Sequence, residues 1–393
     1  MRGIPALIID GSAFSGVGGD CAWAQWHNRP MLRTRIDLDA IAHNVSLLKE
    51  KVAPAQLMCV VKADAYGHGV KEVAPVMAAA GADAFGVATL DEAVELRRSG
   101  IDQPIAAWIW DSTDEVAEAL ACRIHIGVPS LTHARCLVET EVAAKVYIKV
   151  ETGLHRSGVD ESDWDEVFAL LRDAPQIEVL GLMSHFACAD EPDNPFNDEQ
   201  EATFRRAIER ARAAGLECPI NHLANSPAVL DRPSAYFELV RPGLACYGLE
   251  PIPGRDHGLK PAMTWAASIV NVKPIEAGEA TSYGQTWHAE KRGFLATVPC
   301  GYADGLPRDF QGKLRVGIGG KLYPQVGRVC MDQIVVDLGD NEYGVQQGDE
   351  AIIFGVGGMS ATALADAAGT INYEVICRPT GRSVRKYEGG IRK

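Results

Sequence analysis

Leu57-Met58-Cys59-Val60-Val61-Lys62-Ala63-Asp64-Ala65-Tyr66-Gly67-His68-Gly69 is an apolar run that stops on a lysine and breaks into small and glycine residues. A run of that length followed by helix-like sequence reads as a buried parallel strand and its crossover. The pattern repeats in Ala84-Phe85-Gly86-Val87-Ala88 and Ile105-Ala106-Ala107-Trp108-Ile109. Two of the following helices open on capping boxes, Thr89-x-x-Glu92 and Ser112-x-x-Glu115, in which hydroxyl and carboxylate satisfy the first free amides. Further strand-like stretches lie at 123–128, 145–151, 177–185, 219–224 and 237–241, with a long helix expected at 198–215. Eight strands over about 190 residues fit a (β/α)8 barrel better than an open doubly wound sheet. No GxGxxG follows the first strand, and Gly320-Lys321 runs into Leu322, so neither common nucleotide loop is present.

After about residue 259 the texture changes to short β-branched runs broken by Gly, Asn and Asp, such as Ile269-Val270-Asn271-Val272, Leu314-Arg315-Val316-Gly317-Ile318 and Gln333-Ile334-Val335-Val336-Asp337. The expected organisation is an irregular extension at 1–33, a barrel at 34–258 and a mainly β domain at 259–393, packed without a low-complexity linker. The strand-like piece at 34–38 precedes a helix-like run at 40–51 and fits either domain. Arg2, the apolar residues 4–9 and Ala22-Trp23-Ala24 loosely imitate a signal peptide, but Asp10 interrupts the run; an irregular extension is expected, with Met31 an alternative start.

The chain has 393 residues, 47% apolar and 23% charged, which describes a folded protein of two or three domains. Its 52 acidic and 38 basic side chains give a charge of −14 with no basic run, so a small molecule is a better partner than nucleic acid. No apolar stretch reaches the ~18 residues of a membrane span. The ten cysteines are too widely spaced for a zinc ribbon or a dense disulfide framework, so reduced thiols, a cytoplasmic setting and no metal site are expected.

Groups at the C-terminal ends of barrel strands face the active site, and Lys62 is one of them. Burial on one side lowers an amine's pKa toward the range of a nucleophile or Schiff-base partner, although a solvated rim lysine would show the same local pattern. The segment around Lys62 resembles the N-terminal signature of the alanine racemases, pyridoxal 5'-phosphate (PLP) enzymes built as a barrel followed by a β domain. The resemblance runs from about 34 to 385. It is carried by Lys149-Val150-Glu151-Thr152-Gly153-Leu154-His155-Arg156-Ser157-Gly158-Val159, Ser184-His185-Phe186-Ala187, Ala224-Asn225-Ser226 and Val240-Arg241-Pro242-Gly243-Leu244-Ala245-Cys246-Tyr247-Gly248 in the barrel. In the second domain it is carried by Ser282-Tyr283-Gly284, Gly301-Tyr302-Ala303-Asp304-Gly305, Gly327-Arg328-Val329-Cys330-Met331-Asp332 and Ile371-Asn372-Tyr373-Glu374.

The resemblance implies that Lys62 holds PLP covalently and serves as base on one face of the substrate Cα, with Tyr283 as base on the other. Racemisation needs both faces served, and a phenol in that role needs a lowered pKa, which cations such as Arg241 acting through His185 would favour. Asn225, Ser226, Gly243 and Leu244 follow late strands, where barrels commonly bind phosphate, and Tyr66 and Tyr373 would add phenolic donors. Ser226-Pro227 also reads as a plain helix start, and Gly243 as a turn glycine. Arg241 would face the pyridine nitrogen; a guanidinium accepts no proton and so disfavours ring protonation, which favours racemisation over transamination. A structural salt bridge is its plainer reading.

Arg156 is expected near the cofactor's phenolic oxygen and the substrate carboxylate. Lys149 matches a lysine often carbamylated in the family, or is a simple strand lysine. His155 replaces a small residue common beside that arginine. Met331 would help hold the carboxylate through its amide, Tyr302 would narrow the mouth of the site and Asp332 would orient its neighbours. Because Tyr283, Met331 and Asp332 fall in the β domain, the resemblance implies a head-to-tail homodimer with shared sites. The expected activity is interconversion of L- and D-alanine to supply peptidoglycan synthesis. Alternatives are a broad-specificity racemase, a decarboxylase of the same architecture, or a non-catalytic PLP-binding module, which would be a lone barrel.

Overall fold

The computed structural model describes residues 30–112, 116–140 and 142–390. The signal-like features of the extension, and Glu115 of the second capping box, lie outside the described residues. The first capping box is present: the Glu92 amide donates to Thr89 Oγ1 at 3.3 Å while the Glu92 carboxylate accepts from the Thr89 amide at 3.2 Å.

Apolar runs with inward and outward alternation form β2 (Gln56–Val60), β3 (Ala84–Thr89), β4 (Ile105–Ile109), β5 (Ile124–Val128), β6 (Ala144–Lys149) and β7 (Ile177–Met183), which pair in parallel in that order. The two-residue β8 (Leu239–Val240) pairs back onto β2. Between β7 and β8 the segment 219–224 takes the remaining place without regular strand geometry: Ile220 and His222 amides donate to Leu180 and Leu182 carbonyls, and the Arg241 amide donates to the Ala224 carbonyl. The result is the expected closed eight-membered barrel wrapped by helices. Met58, Ala84, Ala106, Tyr147, Leu180, Met183 and Leu239 fill its lumen, as side-chain layers fill barrels of this kind. The long helix runs over Phe196–Ala213.

The second domain is a nine-stranded sheet. Its order is β10 (Asn271–Ile275), β13 (Gly293–Val298), β16 (Ile334–Gly339), β15 (Lys321–Val326), β14 (Arg315–Ile318), β17 (Glu350–Phe354), β9 (Met263–Ser268), β1 (Leu32–Asp37) and β18 (Val384–Glu388). A separate ribbon joins β11 (Ala280–Thr281) to β12 (Trp287–His288). β1 settles the open question about the first strand: it pairs with β9 and β18, so it belongs to the β domain, and it starts at Leu32 rather than at the expected boundary of 34. The chain thus begins in one domain and enters the barrel through the helix Leu38–Val52, capped by Asp37. A continuous apolar core joins both domains, and among the described residues no helix is long and apolar enough to cross a membrane.

Candidate active site

Lys62 follows β2 by two residues and opens a turn of the wrong hand. Ala63, Asp64, Ala65 and Tyr66 have φ of 52°, 53°, 56° and 53°, four successive non-glycine residues in the left-handed region. Each costs roughly 1–2 kcal/mol, so the surroundings must hold the turn in place.

A cavity of about 790 Å³ opens at the C-terminal ends of the barrel strands, within the size range of small-molecule sites. It is lined by every barrel residue singled out in the sequence: Lys62, Tyr66, Lys149, Arg156, His185, Asn225, Ser226, Arg241, Gly243 and Leu244. Tyr373, from the short helix Asn372–Ile376 of the β domain, completes that group. Burial, then the nearby Arg156 cation, pulls the Lys62 amine below its usual range. The same two causes, followed by Arg241, take Lys149 to about 8, and its Nζ donates to Ser157 Oγ at 2.9 Å. His185 is held well below its ordinary value by burial and by Arg241, so its ring is neutral at neutral pH.

Arg241, buried just after β8, donates to the carbonyls of His222 (2.7 Å), Ser184 (2.5 Å) and Leu223 (3.3 Å). It also donates to His222 Nδ1 at 2.7 Å and lies 3.5 Å from His185 Nδ1. Among the described residues it makes no ion pair, which removes the salt-bridge reading. Burial lowers it only to about 10, so it stays a cation at neutral pH.

The Ser226 and Gly243 readings turn out to be compatible with one another. Asn225 caps the helix Ser226–Asp231, and Ser226 Oγ accepts from the amides of Gly243 (2.9 Å) and Ala245 (3.2 Å). A hydroxyl that accepts twice has its own proton left to give, which suits an anionic oxygen. A Cβ at Gly243 would stand 2.3 Å from the Tyr66 hydroxyl, so glycine is required there by close approach. Burial raises the phenols of Tyr66 and Tyr373, the latter to about 12, keeping both as donors. Four cations, a free hydroxyl proton and two phenols fit a phosphate-bearing cofactor such as PLP.

The β-domain residues are elsewhere. Tyr283, Tyr302, Met331 and Asp332 are absent from this cavity's lining. They are brought together with one another instead. Tyr283 begins the turn between β11 and β12, and Ser282 Oγ donates to the Arg328 carbonyl. The amides of Tyr302 and Ala303 donate to the carbonyls of Cys330 and Met331, and Arg382 joins Asp332 to the buried Asp304. The patch is open: Tyr283, Met331 and Tyr302 are 71%, 52% and 43% exposed. His155 is exposed in the left-handed region, one residue before Arg156.

Sequence reasoning missed Trp108, Trp110 and His133 in the cavity wall, and His222 behind Arg241. Trp108 did leave a signal. A Cβ at Gly86 or Gly127, on the strands either side of β4, would meet its side chain at 2.8 and 2.9 Å, so two strand glycines make room for one indole. A lone histidine at 222 leaves none.

The alanine racemase N-terminal domain model matches residues 36–251, and the alanine racemase C-terminal domain model matches 262–387. Alanine racemase from Corynebacterium efficiens is 64% identical over 362 residues, covering 91% of this chain and 99% of that protein. The protein of the same name from Corynebacterium glutamicum (strain R) is 59% identical over 358 residues, covering 91% and 99%. The crystal structure of alanine racemase from Corynebacterium glutamicum superposes with a TM-score of 0.85 at 55% identity, over 92% of this chain and 100% of that one. Alanine racemase from D-cycloserine producing Streptomyces lavendulae superposes with a TM-score of 0.88 at 39% identity, over 93% and 98%. With both halves of the chain matched and the barrel-plus-β architecture shared, this enzyme belongs to the alanine racemase family.

Proposed function

We propose that this chain uses PLP to interconvert L- and D-alanine by proton transfer on both faces of Cα, and works as a homodimer in the cytoplasm to supply D-alanine for peptidoglycan. One observation carries the reading: a single cavity holds both Lys62, an amine softened by burial, and Arg241, a buried guanidinium with no carboxylate partner among the described residues. The chemistry supplied by bound PLP is withdrawal of electron density from Cα, which makes its proton removable.

Lys62 attaches the cofactor and then, as a free amine, takes or returns the proton on one face. Ser226, with the Leu244 amide beside the close-packed Gly243, Asn225 and the phenols of Tyr66 and Tyr373, would hold the phosphate. Arg241, fixed by carbonyls and by neutral His222, would hold a positive charge toward the cofactor's ring nitrogen and so disfavour its protonation. Arg156 would hold the phenolic oxygen and the substrate carboxylate, with Lys149 supporting it. Carbamylation requires the neutral amine to attack the carbon of carbon dioxide and release a proton to solvent, so an amine lowered to about 8 suits Lys149 to it, and the carbamate would give Arg156 an anionic partner.

Tyr283 supplies the second face from a neighbouring chain, linked through His185 to Arg241. Met331 offers its amide to the carboxylate, Tyr302 narrows the mouth, and Asp332 steadies Arg382. Support for sharing comes from the split itself, since these four residues lie together on an exposed patch and none lines its own chain's cavity. Decarboxylation is the weaker reading, because Arg241 occupies the place where a carboxylate would make the ring a stronger electron sink.

Two measurements test this. Incubated with PLP, purified protein should convert L-alanine to equal amounts of both enantiomers and leave most of a chiral amino-acid panel untouched. Borohydride reduction and peptide mapping should place the pyridoxyl group on Lys62. No D-alanine, or a label on another lysine, would refute the reading.

A further inference from the structure

We infer that Glu92 and Arg385 are positioning residues for Lys62, acting through the left-handed turn at 63–66 that sets the direction of its side chain. The inference rests on the proposed role of Lys62. Four successive non-glycine residues in the left-handed region persist only where their surroundings over-determine them. The turn's own backbone bonds, Gly67 N to Ala63 O and Gly69 N to Asp64 O, are of the kind a right-handed turn also makes, so the hand must be chosen from outside.

Two carboxylates make that choice. Glu92 needs one oxygen for its own helix, and Oε2 accepts there from the amides of Ala88 (2.8 Å) and Thr89 (3.2 Å). Its Oε1 is turned instead to the amide of Ala63 at 2.7 Å, the peptide that directly follows Lys62. Asp64, inside the turn, accepts from the Val70 amide at 2.7 Å with one oxygen and meets Arg385 Nη1 at 2.5 Å with the other. Arg385 stands on β18, the last strand of the β-domain sheet. The turn is therefore pinned at one end by the barrel and at its middle by the β domain of the same chain. From the other side the β domain closes on it too: a Cβ at Gly67 would stand 2.9 Å from the Ile376 carbonyl.

None of the three side chains lines the cavity that holds Lys62. Glu92, Asp64 and Arg385 line a separate cleft of about 860 Å³ behind it, between the domains. Asp64 and Arg385 therefore act on Lys62 through the backbone, whereas Glu92 also holds the Lys62 amine up through its charge, so Asp64→Asn and Arg385→Ala carry the test of the backbone route. When the turn relaxes, the Cα–Cβ direction of Lys62 changes and proton transfer suffers, while Arg156, on a different loop, keeps its place.

The test uses the PLP-loaded enzyme. Arg385→Ala and Glu92→Gln should each lower kcat by about 10- to 100-fold, the range a misplacement of about 1 Å produces, with KM changed less than about 2-fold. The visible circular dichroism of the cofactor joined to Lys62 should change, and Arg385→Lys should restore most of kcat. Asp64→Asn keeps an acceptor for Val70 but loses the charge facing Arg385; it should match Arg385→Ala, and the double variant should be no worse than either. If Arg385→Ala does not fold, Asp64→Asn decides by the same readouts. Native kcat and native cofactor dichroism in Arg385→Ala or Asp64→Asn, or failure of Arg385→Lys to rescue, overturns the inference. Borohydride mapping of the wild type separates the two ideas. A label on Lys62 with unaffected variants overturns this inference alone, whereas a label on another lysine overturns the reading of Lys62 and this inference with it.

Discussion

In the barrel cavity, burial pushes Lys62, Lys149 and Arg241 toward neutrality; Arg156 adds its charge at Lys62, and Arg156, Arg241 and Lys62 add theirs at Lys149. On the β domain, Tyr283, Met331 and Tyr302 stand in the open with their side chains uncovered, on segments tied together by the bonds of Tyr302 and Ala303 to Cys330 and Met331 and of Ser282 to Arg328. The first region is assembled from residues of one chain. The second is an apolar and aromatic surface of the kind that marks an interaction site. On the proposed reading, the contrast means that one chain carries the electrostatics of this site but only half of its proton-transfer apparatus, and the proposed dimer would erase the difference.

The sharpest way to break that contrast is to separate the halves. Lys62→Ala and Tyr283→Ala should each lose activity by more than about 10²-fold, the usual worth of a positioned acid or base. Mixed under conditions of subunit exchange, the two inactive proteins should regain about a quarter of the wild-type rate, since half of randomly paired dimers carry one intact site of two. Exchange without recovery would mean that the two residues serve the same chain. Tyr283→Phe sharpens the point: solvent deuterium should wash into one enantiomer's Cα at least about 10²-fold more slowly, with a smaller change for the other, and equal losses would favour a single base.

Arg241 tests whether the cavity's electrostatics are complete without the patch. Arg241→Gln keeps donors for the surrounding carbonyls but removes the charge. At about 4 Å and an effective dielectric near 20, two unit charges interact by roughly 4 kcal/mol, equivalent to about three pKa units, enough to reverse protonation of the ring nitrogen. The variant should racemise about 10-fold more slowly and form pyridoxamine phosphate with alanine, followed by chromatography of the released cofactor. Native rates and no pyridoxamine phosphate would remove Arg241 from control of the chemistry.

The smallest effect concerns Lys149 and is read as stability. Its folded pKa of about 8 lies below its ordinary 10.5, so protonation is disfavoured in the fold. Between those values the unfolded chain binds more protons, and stability should rise with pH. The penalty is absent above about 10.5 and complete below about 8, at most about 3 kcal/mol. In cofactor-free protein without bicarbonate, Lys149→Met should flatten the rise measured by urea unfolding across that window. An unchanged slope would mean that the amine is solvated in the folded state.

How much was legible depends on the range of the interaction involved. The barrel was readable because each βα unit declares itself within about twenty residues, through an apolar run and a cap such as Thr89-x-x-Glu92. Membership of β1 was not, because its alternation says that one face is buried but not by what, and its partners Met263–Ser268 and Val384–Glu388 are more than two hundred residues away. In the site, Lys62 and Arg241 announced themselves within quoted stretches. His222 did not, since a neutral histidine accepting from a guanidinium has no local pattern. Glu92 was legible as a helix cap, while its second oxygen, turned to Ala63, was not.

What the sequence determined by itself was therefore local and chemical: alternating elements, two textures of chain, and an ordered set of groups able to bind an anion, carry a charge or move a proton. Tertiary structure alone decided which of those groups share a space. Lys149 is near 8 because desolvation and two guanidinium charges act on it at once, and Lys62 points where it does because Glu92 and Arg385 grip a turn of unfavourable hand. Tyr283 is outside its own chain's cavity for the same kind of reason. Burial and Coulomb interaction depend on distances between residues far apart in the chain, and those distances exist only once the chain has folded.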